Sequence, residues 1–91
     1  MALVYLRMTE DGESGKDFIV NTKNIKSIPV SVTTISGIKV KTVFTGYFTD
    51  NKSFSFNQIY YQGKFIYVHT MEQLYKLLSK LDSGVIQDGS A

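Results

Sequence analysis

Lys64-Phe65-Ile66-Tyr67-Val68-His69-Thr70-Met71-Glu72-Gln73-Leu74-Tyr75-Lys76-Leu77-Leu78-Ser79-Lys80-Leu81 holds two elements and the joint between them. Phe65 to Val68 is apolar on both faces, the pattern of a strand placed centrally in a sheet or beneath a helix. Thr70 then offers a hydroxyl where a helix begins. Gln73, three residues on, completes a Thr-x-x-Gln capping box that satisfies backbone donors otherwise orphaned in the first turn. Met71, Leu74, Leu77, Leu78 and Leu81 recur at helical spacing as one apolar stripe, leaving Glu72, Lys76, Ser79 and Lys80 to face water. Glu72 and Lys76 stand i,i+4 in the favourable order, and the late lysines suit the helix dipole. No other segment has a helical period of this length, so the chain upstream must supply sheet and this helix must cover it.

The upstream chain alternates. Phe54 and Phe56 point inward between Ser53, Ser55 and Asn57, and Ile59, Tyr60 and Tyr61 extend the same strand to a Gln62-Gly63 hairpin turn. The longest strand is expected from Ile38 to Thr49, after a tight turn at Ser36-Gly37. Ile38, Val40, Thr42, Phe44 and Phe48 share its inner face, and Lys39, Lys41, Val43, Thr45 and Tyr47 its outer one. Gly46 falls on the inner face, where a missing side chain lets the sheet bend or another chain approach. In Ile28-Pro29-Val30-Ser31-Val32-Thr33-Thr34, the apolar residues again alternate, and Pro29, lacking an N–H, sets this strand at an edge or at a bulge. Asn21 to Asn24 reads as a capped 3₁₀ turn, with Ile25 and Ile28 on one side of it. Leu3 to Met8 and Asp17 to Asn21 read as the first two strands of the chain. Between them, Thr9 to Lys16 is a polar hairpin loop expected to be mobile, whose Gly12 and Gly15 lack phosphate-loop spacing.

The expectation is an α+β fold: about six antiparallel strands forming a strongly bent sheet or half-barrel, with one C-terminal helix packed on it. A single domain spans 1–81, and 82–91, poor in apolar residues, form a flexible tail.

Composition narrows the function classes. The 91 residues hold no cysteine and one histidine, so disulfides, thiolate metal sites and a cysteine nucleophile are absent and no metal or cofactor is expected. Six tyrosines and six phenylalanines supply much of the core volume. A net charge of +2 and a pI near 8.9 permit a polyanionic partner without requiring one. Met1 to Met8 is apolar but short, and acids follow at Glu10, Asp11 and Glu13. Neither a signal peptide nor a membrane partner is therefore expected, and the reading is of a cytoplasmic protein.

The order of elements resembles that of the small FlbD-type proteins of flagellar operons and related phage-encoded proteins. A strand, a polar hairpin, a second strand ending in Asn21, the step Asn24-Ile25-x-x-Ile28, an antiparallel meander and Tyr67-Val68-His69-Thr70-Met71-Glu72-Gln73-Leu74 leading into a helix carry the resemblance. It spans most of 3–81, departing at the long Thr42 to Tyr61 hairpin and the neutral helix start. It implies a compact bent sheet with a terminal helix and no catalysis, and carries over no functional residue.

Catalytic constellations are not visible. His69 stands beside Thr70 and near Glu72, but a general base needs a nucleophile or pocket, and a histidine one step before an N-cap serves as a staple against Leu74. Asp17 and Asp50 are isolated acids, Ser53 and Ser55 lack a Gly-x-Ser-x-Gly context, and Asn51-Lys52-Ser53 matches a sequon without a secretory signal. The chain reads as a non-enzyme.

Binding is the stronger class. Lys39, Lys41, Tyr47, Tyr60, Tyr61 and Lys64 interleave basic and aromatic side chains as single-stranded nucleic-acid platforms do, although such residues are also ordinary on a solvated sheet face. Protein association ranks first. One short helix cannot cover both faces of strands that are apolar on both sides at Val4/Tyr5/Leu6 and Phe65/Ile66/Tyr67/Val68, and leftover apolar surface marks an interface, commonly a homodimer or a contact with another protein. A sheet edge at Pro29 to Thr34 or Leu3 to Met8 is the expected place for pairing with a second copy.

Overall fold

The computed structural model describes residues 3–9, 15–36 and 39–82. Seven strands and one helix follow in order: β1 Leu3–Met8, β2 Lys16–Asn21, a 3₁₀ turn at Thr22–Asn24, β3 Ile25–Ser36, β4 Lys39–Phe48, β5 Ser53–Phe56, β6 Gln58–Tyr61, β7 Lys64–Tyr67 and α1 Met71–Asp82. All pairings are antiparallel. The strands divide into a four-stranded sheet, order β2-β1-β6-β7, and a three-stranded sheet, order β3-β4-β5. The α+β class with a C-terminal helix therefore stands. The single sheet of about six strands does not, because the strand expected from Phe54 to Tyr61 breaks at Asn57 and its two halves join different sheets.

Asn57 makes that corner. It is buried; its backbone N–H donates to the Arg7 carbonyl at 3.0 Å and its carbonyl accepts from Val68 N at 3.0 Å, so both backbone groups stay paired where the ladder ends. The inner faces of the two sheets and one face of α1 meet in one core: Val4, Leu6, Val20, Ile59 and Val68 from one side, Phe44, Phe54 and Phe56 from the other, and Leu74 and Leu77 from the helix. Phe48, Phe54, Phe56 and Phe44 form a run of stacked rings, with centroid spacings of 4.5, 5.9 and 5.5 Å. Gly46 lies against this run. A Cβ there would fall 2.7 Å from Phe54 Cε1 and closer still to Cζ, so the missing side chain is the space that the ring occupies.

The turns follow their chemistry. Gln62 and Gly63 have φ of 51° and 87°, the two positive values that a type I′ hairpin needs. Asn21 caps the 3₁₀ turn, its Oδ1 accepting from Lys23 N at 3.0 Å. Thr70 Oγ1 accepts from Gln73 N at 3.0 Å, as a capping box requires, while Gln73 Oε1 accepts from His69 N at 2.9 Å, one residue earlier than the box predicts. Glu72 and Lys76 pair at 3.4 Å. The strand β4 alternates as expected, and its buried Thr42 donates to the His69 carbonyl at 3.2 Å. The Thr42 hydrogen is thereby used, so Thr33 Oγ1, 3.1 Å away, donates to Thr42. This chain ties β3 and β4 to the entrance of α1.

Four local expectations change. Register shifts between Ile25, Ser27 and Val30 insert a bulge around Pro29. Ile28 packs on the core, while Val30 and Val32 pair with Thr45 and Val43 on the outer face and are 41% and 51% exposed. β7 is an edge strand, and β1 lies between β2 and β6, so Leu3 to Met8 offers no free edge. Met71, at the first turn of the helix, is exposed. His69 is also exposed, its ring 6.4 Å from that of Tyr67 and nearly parallel to it. Most of the Thr9 to Lys16 loop, the turn at Gly37 and the expected tail beyond Asp82 lie outside the described residues.

Candidate interaction surface

The outer face of the four-stranded sheet is set by the registers of its strands. Residues directly opposite each other in an antiparallel pair share a face. Tyr5 stands opposite Ile19, and Arg7 opposite Asp17 on one side and Gln58 on the other. On β7, Phe65 lies opposite Tyr60 and Tyr67 opposite Gln58. The face therefore has one row of Ile19, Tyr5, Tyr60 and Phe65 and another of Asp17, Arg7, Gln58 and Tyr67.

Its aromatic rings hold one another in place. The Tyr5 and Phe65 centroids are 4.8 Å apart at 79°, and Tyr60 and Phe65 are 5.2 Å apart at 70°, both edge-to-face arrangements. Tyr5 and Tyr60 are tilted at 5.3 Å. The Arg7 guanidinium lies over the Phe65 ring, its central carbon 3.8 Å from the centroid. The same guanidinium grips Asp17 with two bonds, Nε to Oδ1 at 2.6 Å and Nη2 to Oδ2 at 2.9 Å, and the Tyr5 hydroxyl donates to Oδ2 at 3.1 Å. The Arg7 bonds hold the Asp17 carboxyl below the usual carboxylate range, with the Tyr5 bond acting in the same sense. The hydrogen bond to Asp17 conversely raises the Tyr5 hydroxyl above the usual tyrosine range.

The result is a stiff patch whose two charges, among the described residues, neutralise each other. Leu3, Ile19, Tyr60 and Tyr67 remain exposed around them, Ile19 at 63% and Tyr67 at 54%. Such a face presents aromatic edges and apolar area and, among the described residues, its one cation, Arg7, is committed to Asp17.

The six residues read from the sequence as a binding set do not come together. Lys39 begins β4 opposite Ser36, Lys41 stands opposite Thr34, and Tyr47 lies near the other end of the same strand, all three in the three-stranded sheet. Tyr60 belongs to the aromatic face of the other sheet. Tyr61 faces inward against the core, and the Lys80 ammonium sits 5.9 Å from its ring. Lys64 stands opposite Tyr61 at the type I′ turn. Of the residues that complete the aromatic face, Tyr5, Phe65 and Tyr67 belong to the two segments whose surplus apolar surface the sequence marks as an interface, Asp17 reads there as an isolated acid, and Arg7 has no assigned role. Tyr5 and Arg7 alternate with the buried Val4 and Leu6, and the antiparallel pairing of β1 with β2 sets Asp17 opposite Arg7.

Elsewhere, a cleft of about 250 Å³ between α1 and β3 is lined by Thr22, Ile25, Ile28, Tyr75, Leu78 and Ser79, with no carboxylate, histidine or lysine among them. Among the described residues no three His, Cys, Asp or Glu side chains gather as a metal site would require, and no helix is long and apolar enough to cross a membrane. Comparison of the chain with protein-family models, with curated proteins and with solved structures gives no match.

Proposed function

We propose that the chain is a non-enzymatic binding and assembly module that works by protein contact, with the outer face of the four-stranded sheet as its principal surface. The observation that carries this reading is the patch of Tyr5, Tyr60, Phe65 and Tyr67 around the closed Arg7–Asp17 pair. Aromatic side chains and arginine dominate the centres of protein interfaces because they bury large areas at small entropic cost. Here Tyr5, Tyr60, Phe65 and Arg7 already hold one another, so little further ordering of these four is needed on binding. The resemblance in element order supports an assembly setting encoded by a phage or a bacterial operon.

A selection from a random peptide library tests the face without knowledge of the natural partner. Wild-type protein serves as bait, and the double variant Tyr60→Ser/Tyr67→Ser, which alters two exposed side chains, serves as counter-bait. Uncharged, apolar-rich peptides should emerge that lose on the order of tenfold or more in affinity for the variant. Peptides that bind both proteins equally would remove the face from the proposal. The nucleic-acid reading has its own readout: a labelled oligonucleotide titrated at low salt should not bind, whereas affinity falling with added salt would favour the row Lys39, Lys41 and Tyr47 instead.

A further inference from the structure

We infer that the free edge of β3 pairs antiparallel with β3 of a second copy across a two-fold axis, joining the two three-stranded sheets into one of six strands. The inference rests on the reading as an assembly module and gives self-association its surface.

Four edge strands are available among the described residues: β2, β7, β3 and β5. Edges are ordinarily protected by charge, proline, bulges or shortness. β7 and β5 are four residues each, and β2 carries Lys16 and Asp17. β3 is the longest, at twelve residues. Its first half is protected, by Lys26, by Pro29 and by the register shifts from Ile25 to Val30. Its second half, Val30-Ser31-Val32-Thr33-Thr34-Ile35-Ser36, has no charge, no proline and no glycine, and its pairing with β4 is regular from Val30 to Ser36. Residues 30–34 are all exposed, and four of these five are β-branched. The protection thus stops where the regular ladder starts.

The sequence of this segment also selects the occupant. A two-fold axis sets each residue beside itself or a near neighbour in the other copy, so any charge on the edge would meet its own sign. An edge without charges meets no such repulsion, and it offers no complement to a charged strand from a different protein. Because opposed residues share a face, the registers allowed pair Val30, Val32 and Thr34 among themselves on the outer face, and Ser31 and Thr33 on the inner one. Val32 then sits at the axis or one pair away from it.

The test is the apparent mass by light scattering, from about 1 µM to about 1 mM, a range that spans dissociation constants of that order. Wild-type protein should move from the 10.3 kDa monomer to a closed dimer of about twice that mass. Val32→Lys and Val32→Glu each place a charge on a half-exposed side chain and should stay monomeric, with melting temperatures equal to that of wild type at a dilution where wild type is itself monomeric. An equimolar mixture of the two should recover the dimer, a rescue that a folding defect would not give. The face variant Tyr60→Ser/Tyr67→Ser should dimerise as wild type does. A wild-type protein monomeric throughout, a mass that grows without limit, or a dimer that survives Val32→Lys would overturn the edge pairing. If the dimer is lost instead in the face variant, the edge is wrong while protein contact through the aromatic face stands.

Discussion

Asn57 and Thr9 exchange two hydrogen bonds through the Asn57 carboxamide: Thr9 N–H donates to Oδ1 at 3.2 Å, and Nδ2 donates to the Thr9 carbonyl at 2.9 Å. A side chain thus takes the place of a strand neighbour at the point where the chain leaves one sheet for the other. Gln58 Nε2 adds a bond to Thr9 Oγ1 at 3.0 Å. Asn57→Ala leaves both Thr9 backbone groups without these partners, and an unpaired buried group costs about 1–3 kcal/mol. We expect a loss of about 2–3 kcal/mol, a fall in melting temperature on the order of 10–20 °C for a domain of this size. Asn57→Asp keeps the acceptor but cannot donate while ionised, so it should be as unstable at neutral pH and regain stability on acidification. An unchanged melting temperature in Asn57→Ala would show that the corner is held by other contacts.

Gly46 gives a steric prediction. A methyl group in Gly46→Ala meets the Phe54 ring, which is itself stacked on Phe48 and Phe56 and has little room to withdraw. Overpacking of this kind costs about 1–3 kcal/mol. Urea unfolding should show that loss, and Gly46→Ala/Phe54→Leu should be more stable than the sum of the two single changes, because the smaller side chain vacates the contested space. Strict additivity would mean that the ring is not what the methyl group strikes.

Stability should depend on pH through Asp17 and Tyr5 in opposite senses. The folded-state carboxyl of Asp17 is lowered, so the unfolded chain binds its proton more tightly. The contribution is full above the usual carboxylate range and is lost as pH falls through the lowered folded value. The Tyr5 hydroxyl is raised, so its contribution is full below the usual tyrosine range and is lost as pH rises through the raised folded value. Denaturant melts across pH should lose part of their acidic slope in Asp17→Asn and part of their alkaline slope in Tyr5→Phe. Slopes identical to wild type would contradict both linkages.

The entrance of α1 is bonded from two directions. Thr70→Ala removes the acceptor for Gln73 N and should cost about 1 kcal/mol. Gln73→Ala removes the acceptor for His69 N and the donor to the Tyr67 carbonyl, so it should also loosen the step from β7 into the helix. Amide exchange should accelerate in the first helical turn in the threonine variant, and at His69 as well in the glutamine variant. Protection at His69 that persists in Gln73→Ala would refute the role given to this side chain.

Local chemistry was well written in the sequence. The Thr70 cap, the Gln62-Gly63 turn, the Asn21 cap and the alternation of β4 each depend on a few adjacent residues, and each has its expected form. What depends on the choice of partner strand was hidden. The inward residues fall on even positions at Phe54 and Phe56 and on odd ones at Ile59 and Tyr61, so the period slips by one at Asn57, but alternation says which face a residue takes and not which sheet it joins. The bulge near Pro29 was foreseen, but not its effect, which is to set Val30 and Val32 on the face opposite Ile28. The aromatic patch is a cross-strand feature: β1 supplies Tyr5 and β7 supplies Phe65, and only the insertion of β6 between those strands brings the rings together.

The nesting of one sheet within the other bears on how the chain reaches this state. β3, β4 and β5 are consecutive, whereas the four-stranded sheet takes β1 and β2 from one end of the chain and β6 and β7 from the other. Pairing Leu6 with Ile59 closes a loop over most of the strand-forming sequence, and such closures slow folding because their entropy is lost before their contacts are gained. A meander formed early folds that loop back on itself and shortens the closure. In stopped-flow refolding, Val43→Ala in β4 should therefore slow the folding limb, and Thr70→Ala at the joint formed last should chiefly speed unfolding. On this expected order of events, Asn57 is the residue at which a locally assembled meander hands the chain over to its long-range partner.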